Sequence, residues 1–365
     1  MNITAAVARK KGEPMVFEEL QIEDPREDEI LVRVVGCGVC HTDLAIREQY
    51  YPTPFPVVLG HEGSGVVEKI GSRVTSVKPG DHVIMSFLTC GECDACISGR
   101  YVMCPEYFNC NFSGSRKDGT SPLKKGNEVI NGCFFSQSTF ATYALATERN
   151  TLKVSKDLPL EILGPLGCGI QTGAGASINS LGVRPGSSLA TFGCGTVGLS
   201  AIMGAHVCGC TKNIAVDISD ERLELARQFG ATHGINSKKT DPIKAIQKIT
   251  GKGGADYSLE CIGLPHVVRQ AVDCLKTPGL CGLIGASPMG TETKIDMNNM
   301  LFGRTLRGIN EGDSIPQLFI PILLELHEQG RFPFDKLITM YDFKDINQAF
   351  DDIESGKVLK AVVKM

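Results

Sequence analysis

Over residues 1–169 the apolar positions recur mostly with a period of two, in short runs broken by turn residues. Ile30-Leu31-Val32-Arg33-Val34-Val35 reads as a strand, and so does Gly63–Ile70. The turn Lys78-Pro79-Gly80-Asp81 leads into a further strand at His82-Val83-Ile84. The pattern changes near residue 170. Ser187–Phe192 is a short apolar run that predicts a strand, followed by a Gly-rich turn and a helix. Asn213–Asp217 predicts a second strand. Ser219 then caps a helix whose apolar face is Leu223, Leu225, Ala226 and Phe229, with Asp220 and Glu221 favouring its N-terminus. Strands are predicted at Ala255–Cys261 and Leu280–Gly285, with a helix at His266–Leu275 between them. Alternating β and α units of this length predict a parallel, doubly wound sheet. The tail leaves that rhythm: Ile315–Gln329 and Asp345–Ser355 predict helices and Val358–Val363 a strand. The expected organisation is α/β, with a β-rich domain over 1–169 and 310–365 and a doubly wound parallel-sheet domain over 170–309.

Composition narrows the class of protein. A chain of 365 residues is longer than one hydrophobic core usually spans, which agrees with two domains. With 42% hydrophobic and 21% charged residues it reads as an ordinary globular chain. A formal net charge of −4 gives no basic surface for nucleic acid and no basic membrane patch. No run of apolar residues is long enough for a membrane span. The opening Met1-Asn2-Ile3-Thr4-Ala5 has no charged and then apolar leader pattern, so a cytoplasmic location is expected. The 15 cysteines are odd in number and, in a reducing compartment, do not form a disulfide framework. Metal binding by a clustered subset, with the rest as small buried apolar residues, accounts for them better.

Three groups of residues carry candidate chemistry. Cys90, Cys93, Cys96 and Cys104 follow C-x2-C-x2-C-x7-C in a polar loop with Gly91, Glu92 and Asp94. Four thiolates at this spacing can wrap a tetrahedral zinc ion and leave no open position, which is a structural site; an iron–sulfur cluster or free core cysteines are the alternatives. Cys40, His61 and Cys168 each lie beside glycine in Gly38-Val39-Cys40-His41-Thr42-Asp43, Gly60-His61-Glu62 and Gly167-Cys168-Gly169. Each alone is weak, because a single cysteine or histidine is more often a packed side chain than a ligand. Together they would make a Cys2His zinc site with a fourth position open for substrate. Gly193-Cys194-Gly195-Thr196-Val197-Gly198 is G-x-G-x-x-G between a predicted strand and helix, the context required of a dinucleotide turn. Asp217 ends the next strand, where an acid holds ribose hydroxyls and repels a 2′-phosphate, so NAD is favoured over NADP. Arg222 either covers the adenine ribose or is an exposed helix charge.

These motifs together resemble the zinc-containing medium-chain alcohol dehydrogenases over essentially the whole chain, most closely the bacterial aryl-alcohol (benzyl-alcohol) dehydrogenases. The resemblance rests on Gly38–Asp43, Gly60–Gly63, the four-cysteine loop, Leu166–Gly169 and the Gly-rich turn. It implies a GroES-like catalytic domain plus a Rossmann domain, two zinc ions per subunit (one catalytic, one structural) and NAD. Cys40, His61 and Cys168 then match the catalytic ligands. Glu62 matches an acid able to approach the metal, Asp43 the acid that orients the ligating histidine, and Thr42 the hydroxyl that hydrogen-bonds the alcohol. Lys360 falls where the family places a basic residue on the cofactor pyrophosphate. One departure is Ala45, where relatives often end the proton relay with histidine; either His41 or solvent takes that role. Phe87, Phe108, Phe112 and Phe140 would line an apolar substrate pocket or serve as ordinary core. The implied activity is reversible NAD-dependent oxidation of a benzyl-type primary alcohol by a homodimer or homotetramer, with no nucleic-acid or membrane partner. Glutathione-dependent formaldehyde dehydrogenase and a long-chain alcohol dehydrogenase are rivals within the family. A zinc- and nucleotide-binding protein without dehydrogenase activity is the rival outside it.

Overall fold

The computed structural model describes residues 1–251 and 253–365. The chain divides into two compact units. The first comprises 1–168, 315–320 and 335–365, and the second 169–314 and 321–334.

The first unit is built on β-strands because its sequence alternates with period two. The strand Glu29–Gly38 is its centre: it pairs antiparallel with Gly63–Ile70, with Tyr143–Thr147 and with the C-terminal strand Lys360–Lys364. The segment 360–364 therefore returns to this unit and fills an inner place in its sheet. A second sheet joins Asn2–Ala8, Val16–Ile22, Val57–Val58, Leu123–Lys125 and Glu128–Ile130. The main core of the unit holds Leu31, Cys37, Val39, Leu59, Phe134, Phe140, Phe350 and Val363.

The second unit carries a parallel sheet in the strand order His233–Asn236, Lys212–Asp217, Ser188–Phe192, Ala255–Glu260, Leu275–Leu283, Arg304–Gly308. Ser188–Phe192 is buried along its whole length, as a central parallel strand covered on both faces must be. Apolar side chains fill both faces: Ile214, Val216, Ala271 and Val272 in one core, Leu189, Ala201, Ala205 and Leu259 in the other. Strand order reverses between Ser188–Phe192 and Ala255–Glu260. In an open parallel sheet this is the point where ligands bind beyond the carboxyl ends of the strands.

The tail differs in part from the segment division expected of it. Residues 310–314 and 321–334 belong to the second unit. Glu311 there accepts hydrogen bonds from Thr172 Oγ1 (3.2 Å) and Gln171 Nε2 (3.4 Å), and Arg307 pairs with Asp313. A helix-period pattern gives the existence of Pro316–Glu328 but not which core takes it.

Candidate functional site

The helix His41–Arg47 begins at Cys40, whose N–H donates to the Asp43 carboxylate (3.0 Å). Asp43 is fully buried and also accepts from the Gly60 N–H (3.0 Å) and from His61 Nδ1 (3.0 Å). One carboxylate thus binds the helix start to the loop that carries His61 and fixes the ring so that Nδ1 is occupied. The other ring nitrogen, Nε2, is buried and without a hydrogen-bond partner. An orphaned imidazole nitrogen in a dry site is costly unless a ligand such as a metal ion takes it.

Cys40, His61, Glu62 and Cys168 each present a donor atom, all within 4.8 Å of one another. Burial alone would disfavour a charged thiol at Cys40. The neighbouring Cys168, aided by Lys360 and His61, draws its pKa well below the usual value. Burial also opposes charge on His61, and Asp43 with Cys40 outweighs it, which makes the ring a stronger base and a better ligand. Two cysteine sulfurs and one imidazole match a three-ligand zinc centre.

Glu62 and Lys360 form a buried pair beside it. Lys360 Nζ lies 2.9 Å from each Glu62 oxygen and 3.1 Å from the Val39 carbonyl, so its three donors are all engaged. Burial pushes the Glu62 carboxyl up to about 7 against the pull of Lys360. Lys360, expected on the cofactor pyrophosphate, is here only 3% exposed and bonded to Glu62; a phosphate contact from the same ammonium requires one of these bonds to open. Thr42 Oγ1 lies 3.8 Å from Cys40 Sγ, so its hydroxyl faces the ligand cluster. Ala45 is buried and offers no proton acceptor, while His41 at the head of the same helix is exposed.

The aromatic surroundings differ from the expectation. The Phe135 ring packs on the His61 ring at a tilt (centroids 4.6 Å, interplanar angle 33°) and Phe134 meets it edge-on (5.4 Å). Phe112 packs on both phenylalanines, and Phe108 stacks on Phe112 at 4.8 Å. Phe87 is buried beside Tyr107. Phe140 points instead into the core against Phe350, so it is ordinary packing. Phe135 was not legible as a site residue. Its backbone is left-handed (φ 49°), as are Ser136 (φ 51°) and Ser138 (φ 49°), a conformation that bulky or hydroxyl side chains do not advertise.

The four-cysteine loop closes on itself. The Cys90 and Cys104 sulfurs are 3.5 Å apart and those of Cys90 and Cys96 3.9 Å. A tetrahedral zinc with bonds of about 2.3 Å sets its sulfurs about 3.8 Å apart. The Cys90 N–H donates to the Cys104 sulfur and the Gly91 N–H to the Cys96 sulfur. Backbone N–H groups of Glu92 and Cys93 draw the Cys90 thiol down to about 6. Sulfurs spaced and bonded in this way fit a zinc ion with no open position.

In the second unit the Gly-rich turn has the shape of a phosphate cradle. Gly193 is left-handed (φ 93°), and a Cβ on Gly198 would lie 1.8 Å from the Gly193 carbonyl oxygen. Above Gly195 the nearest atom to a built Cβ is Arg222 Nη1 at 3.8 Å, which leaves room for a ligand beside the N-terminus of the helix Thr196–Val207. Asp217 ends its strand and accepts from the Cys194 N–H (2.7 Å) and the Ser219 N–H (2.9 Å). The acid and the turn are therefore one hydrogen-bonded piece, with Arg222 over it.

Residues 26–156 match the family described as alcohol dehydrogenase GroES-like domain, and residues 196–327 that described as zinc-binding dehydrogenase. A geraniol dehydrogenase of Castellaniella defragrans is 46% identical over 100% of this chain and 98% of its own length. The chain belongs to the zinc-type medium-chain alcohol dehydrogenases. Among solved structures of this family, benzyl alcohol dehydrogenase from Acinetobacter calcoaceticus shares 50% identity at a TM-score of 0.97, covering 100% of this chain and 99% of that one. An alcohol dehydrogenase zinc-binding domain protein from Burkholderia ambifaria shares 53% at 0.98, with the same coverage. An alcohol dehydrogenase class-3 of Dictyostelium discoideum is 37% identical over 99% of this chain and 97% of its own length. The family expects zinc and a nicotinamide dinucleotide, and both donor sets described above fit those groups. Among the described residues no helix is long and apolar enough to cross a membrane.

Proposed function

We propose that this alcohol dehydrogenase oxidises benzyl-type primary alcohols reversibly to aldehydes with NAD, as a cytoplasmic homodimer or homotetramer holding one catalytic and one structural zinc per chain. The observation that carries the catalytic reading is the convergence of Cys40, His61 and Cys168 around a buried, orphaned imidazole nitrogen. When bound, zinc supplies Lewis acidity that lowers the pKa of the alcohol, and the nicotinamide supplies the hydride acceptor. The residues do the rest. Asp43 holds His61 in one tautomer and orientation. Thr42 accepts the alcohol's proton in a hydrogen bond and passes it outward, to His41 or to solvent, since Ala45 cannot take it. Lys360 balances the charge of Glu62. Asp217 binds the ribose hydroxyls and disfavours a 2′-phosphate, with Arg222 over the adenine ribose, and Gly193, Gly195, Thr196, Val197 and Gly198 receive the pyrophosphate.

The aromatic substrate is supported by the Phe134–Phe135–Phe112 cluster packed on His61 and by the likeness to a benzyl alcohol dehydrogenase. A second reading, an allylic terpene alcohol, is favoured by the geraniol dehydrogenase relative. A panel of benzyl alcohol, geraniol, ethanol, hexanol and S-hydroxymethylglutathione with NAD decides between them by kcat/KM. Benzyl alcohol is expected to lead; a clear preference for hexanol or for the glutathione adduct sinks the aryl reading. For the assembly, Met297, Leu301 and Phe302 are exposed beside the outer strand Arg304–Gly308, an apolar surface suited to a second copy. Sedimentation as a monomer at micromolar concentration would remove that part.

A further inference from the structure

Gln137 is fully buried in the first unit, where its amide has no water to satisfy it. Its Nε2 donates to the His61 carbonyl (3.0 Å) and to the Ser86 carbonyl (3.1 Å). Its Oε1 accepts from the Gly63 N–H (3.1 Å). The partners fix the amide's orientation, since two carbonyls can only accept and a backbone N–H can only donate. The bonds to His61 and Gly63 bracket Glu62, so one side chain clamps both ends of the segment that carries two groups of the metal centre. Ser86, held through its carbonyl, turns its hydroxyl onto the Gly167 carbonyl (2.6 Å), next to Cys168.

The turn that presents Gln137 is built for this placement. Phe135, Ser136 and Ser138 are left-handed, which directs Gln137 inward while laying Phe135 on the His61 ring. Asn150 Nδ2 donates to the Phe135 and Ser136 carbonyls (3.3 and 3.1 Å) and holds the turn. Ser138 Oγ donates to the Val58 carbonyl (2.6 Å) and fixes its far end. An amide that merely filled core space would have partners unrelated to the site. Here the donors and the acceptor reach the His61 segment directly and the Cys168 segment through Ser86.

We propose that Gln137 is a positioning residue that, together with Ser86, sets the spacing between the His61 and Cys168 sides of the metal centre and joins the Phe135 wall to it. The proposal rests on the reading of Cys40, His61 and Cys168 as the catalytic zinc site. A methionine of similar length provides no donor and only a weakly accepting thioether, so Gln137→Met removes the clamp while keeping bulk; Ser86→Ala removes the link to Gly167.

The test uses the full-length, zinc-loaded protein. Metal content per chain and the rates of zinc transfer to 4-(2-pyridylazo)resorcinol are measured for wild type and both variants, together with the visible absorption bands of the Co2+-substituted forms. Wild type should hold two ions per chain. In Gln137→Met and Ser86→Ala, one ion should leave roughly ten-fold or more faster, the scale for losing a group that orients ligands, while the other leaves at the wild-type rate. The Co2+ bands of the faster site should shift, a change that general destabilisation does not produce. A folded Gln137→Met with wild-type release and wild-type bands overturns the proposal. If Gln137→Met does not fold, Ser86→Ala decides on the same two readouts. Only one ion in wild type would defeat the metal-centre reading itself, whereas two ions with unchanged variants would defeat only the role of Gln137.

Discussion

Thr42 keeps its hydroxyl 3.8 Å from Cys40 Sγ, close enough to the ligand cluster to meet an alcohol bound there. Thr42→Ala should therefore cut kcat by about 100-fold or more, the usual scale for a lost proton-transfer group, while NAD affinity stays level. Stopped-flow turnover with a separate NAD titration checks both halves. Asp43 accepts from Cys40, Gly60 and His61 at once, so Asp43→Asn turns an acceptor into a partial donor against N–H groups. Catalytic zinc affinity should fall roughly 10–100-fold, read by competition with a chelator. At Asp217 the structure adds to the sequence expectation, because the carboxylate also holds the Cys194 and Ser219 N–H groups. Asp217→Ser should narrow the NAD/NADP ratio of kcat/KM by roughly ten-fold or more, since charge-assisted hydrogen bonds are worth about 1.5–3 kcal/mol. It should also weaken binding of both cofactors through the loosened turn; an unchanged ratio counts against the ribose role. These residue identities were readable because each sits within a short motif. Lys360 was not fully readable: its ion pair with Glu62 crosses most of the chain, and only the folded sheet brings the strand Lys360–Lys364 against Glu29–Gly38.

At the scale of elements, the four-cysteine loop and the Gly-rich turn are self-contained. The cysteine sulfurs stand at distances a zinc ion requires, so the binding energy of an ion held there would become folding energy. Stripping this metal should lower the melting temperature and expose the loop to protease, and a chelated protein that melts as before would contradict a structural site. In the turn, Gly198→Ala would drive a methyl to 1.8 Å from a carbonyl oxygen. The helix Thr196–Val207 must then shift, costing about 1–3 kcal/mol, visible in urea denaturation and in NAD binding. The strands 188–192, 212–217 and 255–260 and the helix 220–228 match their sequence patterns within a residue or two, because period and capping are local signals. The turn at 133–140 gave no such signal. Left-handed backbone at Phe135, Ser136 and Ser138 is held by long-range hydrogen bonds, from Asn150 to the Phe135 carbonyl, from Gln137 to the Ser86 carbonyl and from Ser138 to the Val58 carbonyl, rather than by the residues' own preferences.

Across the whole molecule, the sequence determined the kinds of chemistry available. The close spacing of Cys90, Cys93, Cys96 and Cys104 points to a metal loop by itself, the glycines 193, 195 and 198 point to a dinucleotide turn through the strand before them and the helix after them, and the change of period near residue 170 points to two architectures. All of these act within one or two elements, so local propensity and sterics suffice to read them. For Cys40, His61 and Cys168 it offered three weak candidates, made a set only by resemblance. The tertiary structure decided that they meet, that Nε2 of His61 is the nitrogen left over, and that Phe135 rather than Phe140 stands beside it. It also assigned residues 321–334 to the second unit and gave Gln137 its partners. The physical reason is common to these cases: a buried polar group must find its hydrogen bonds and an aromatic ring its packing wherever the fold brings atoms together, and no short window of sequence contains those partners.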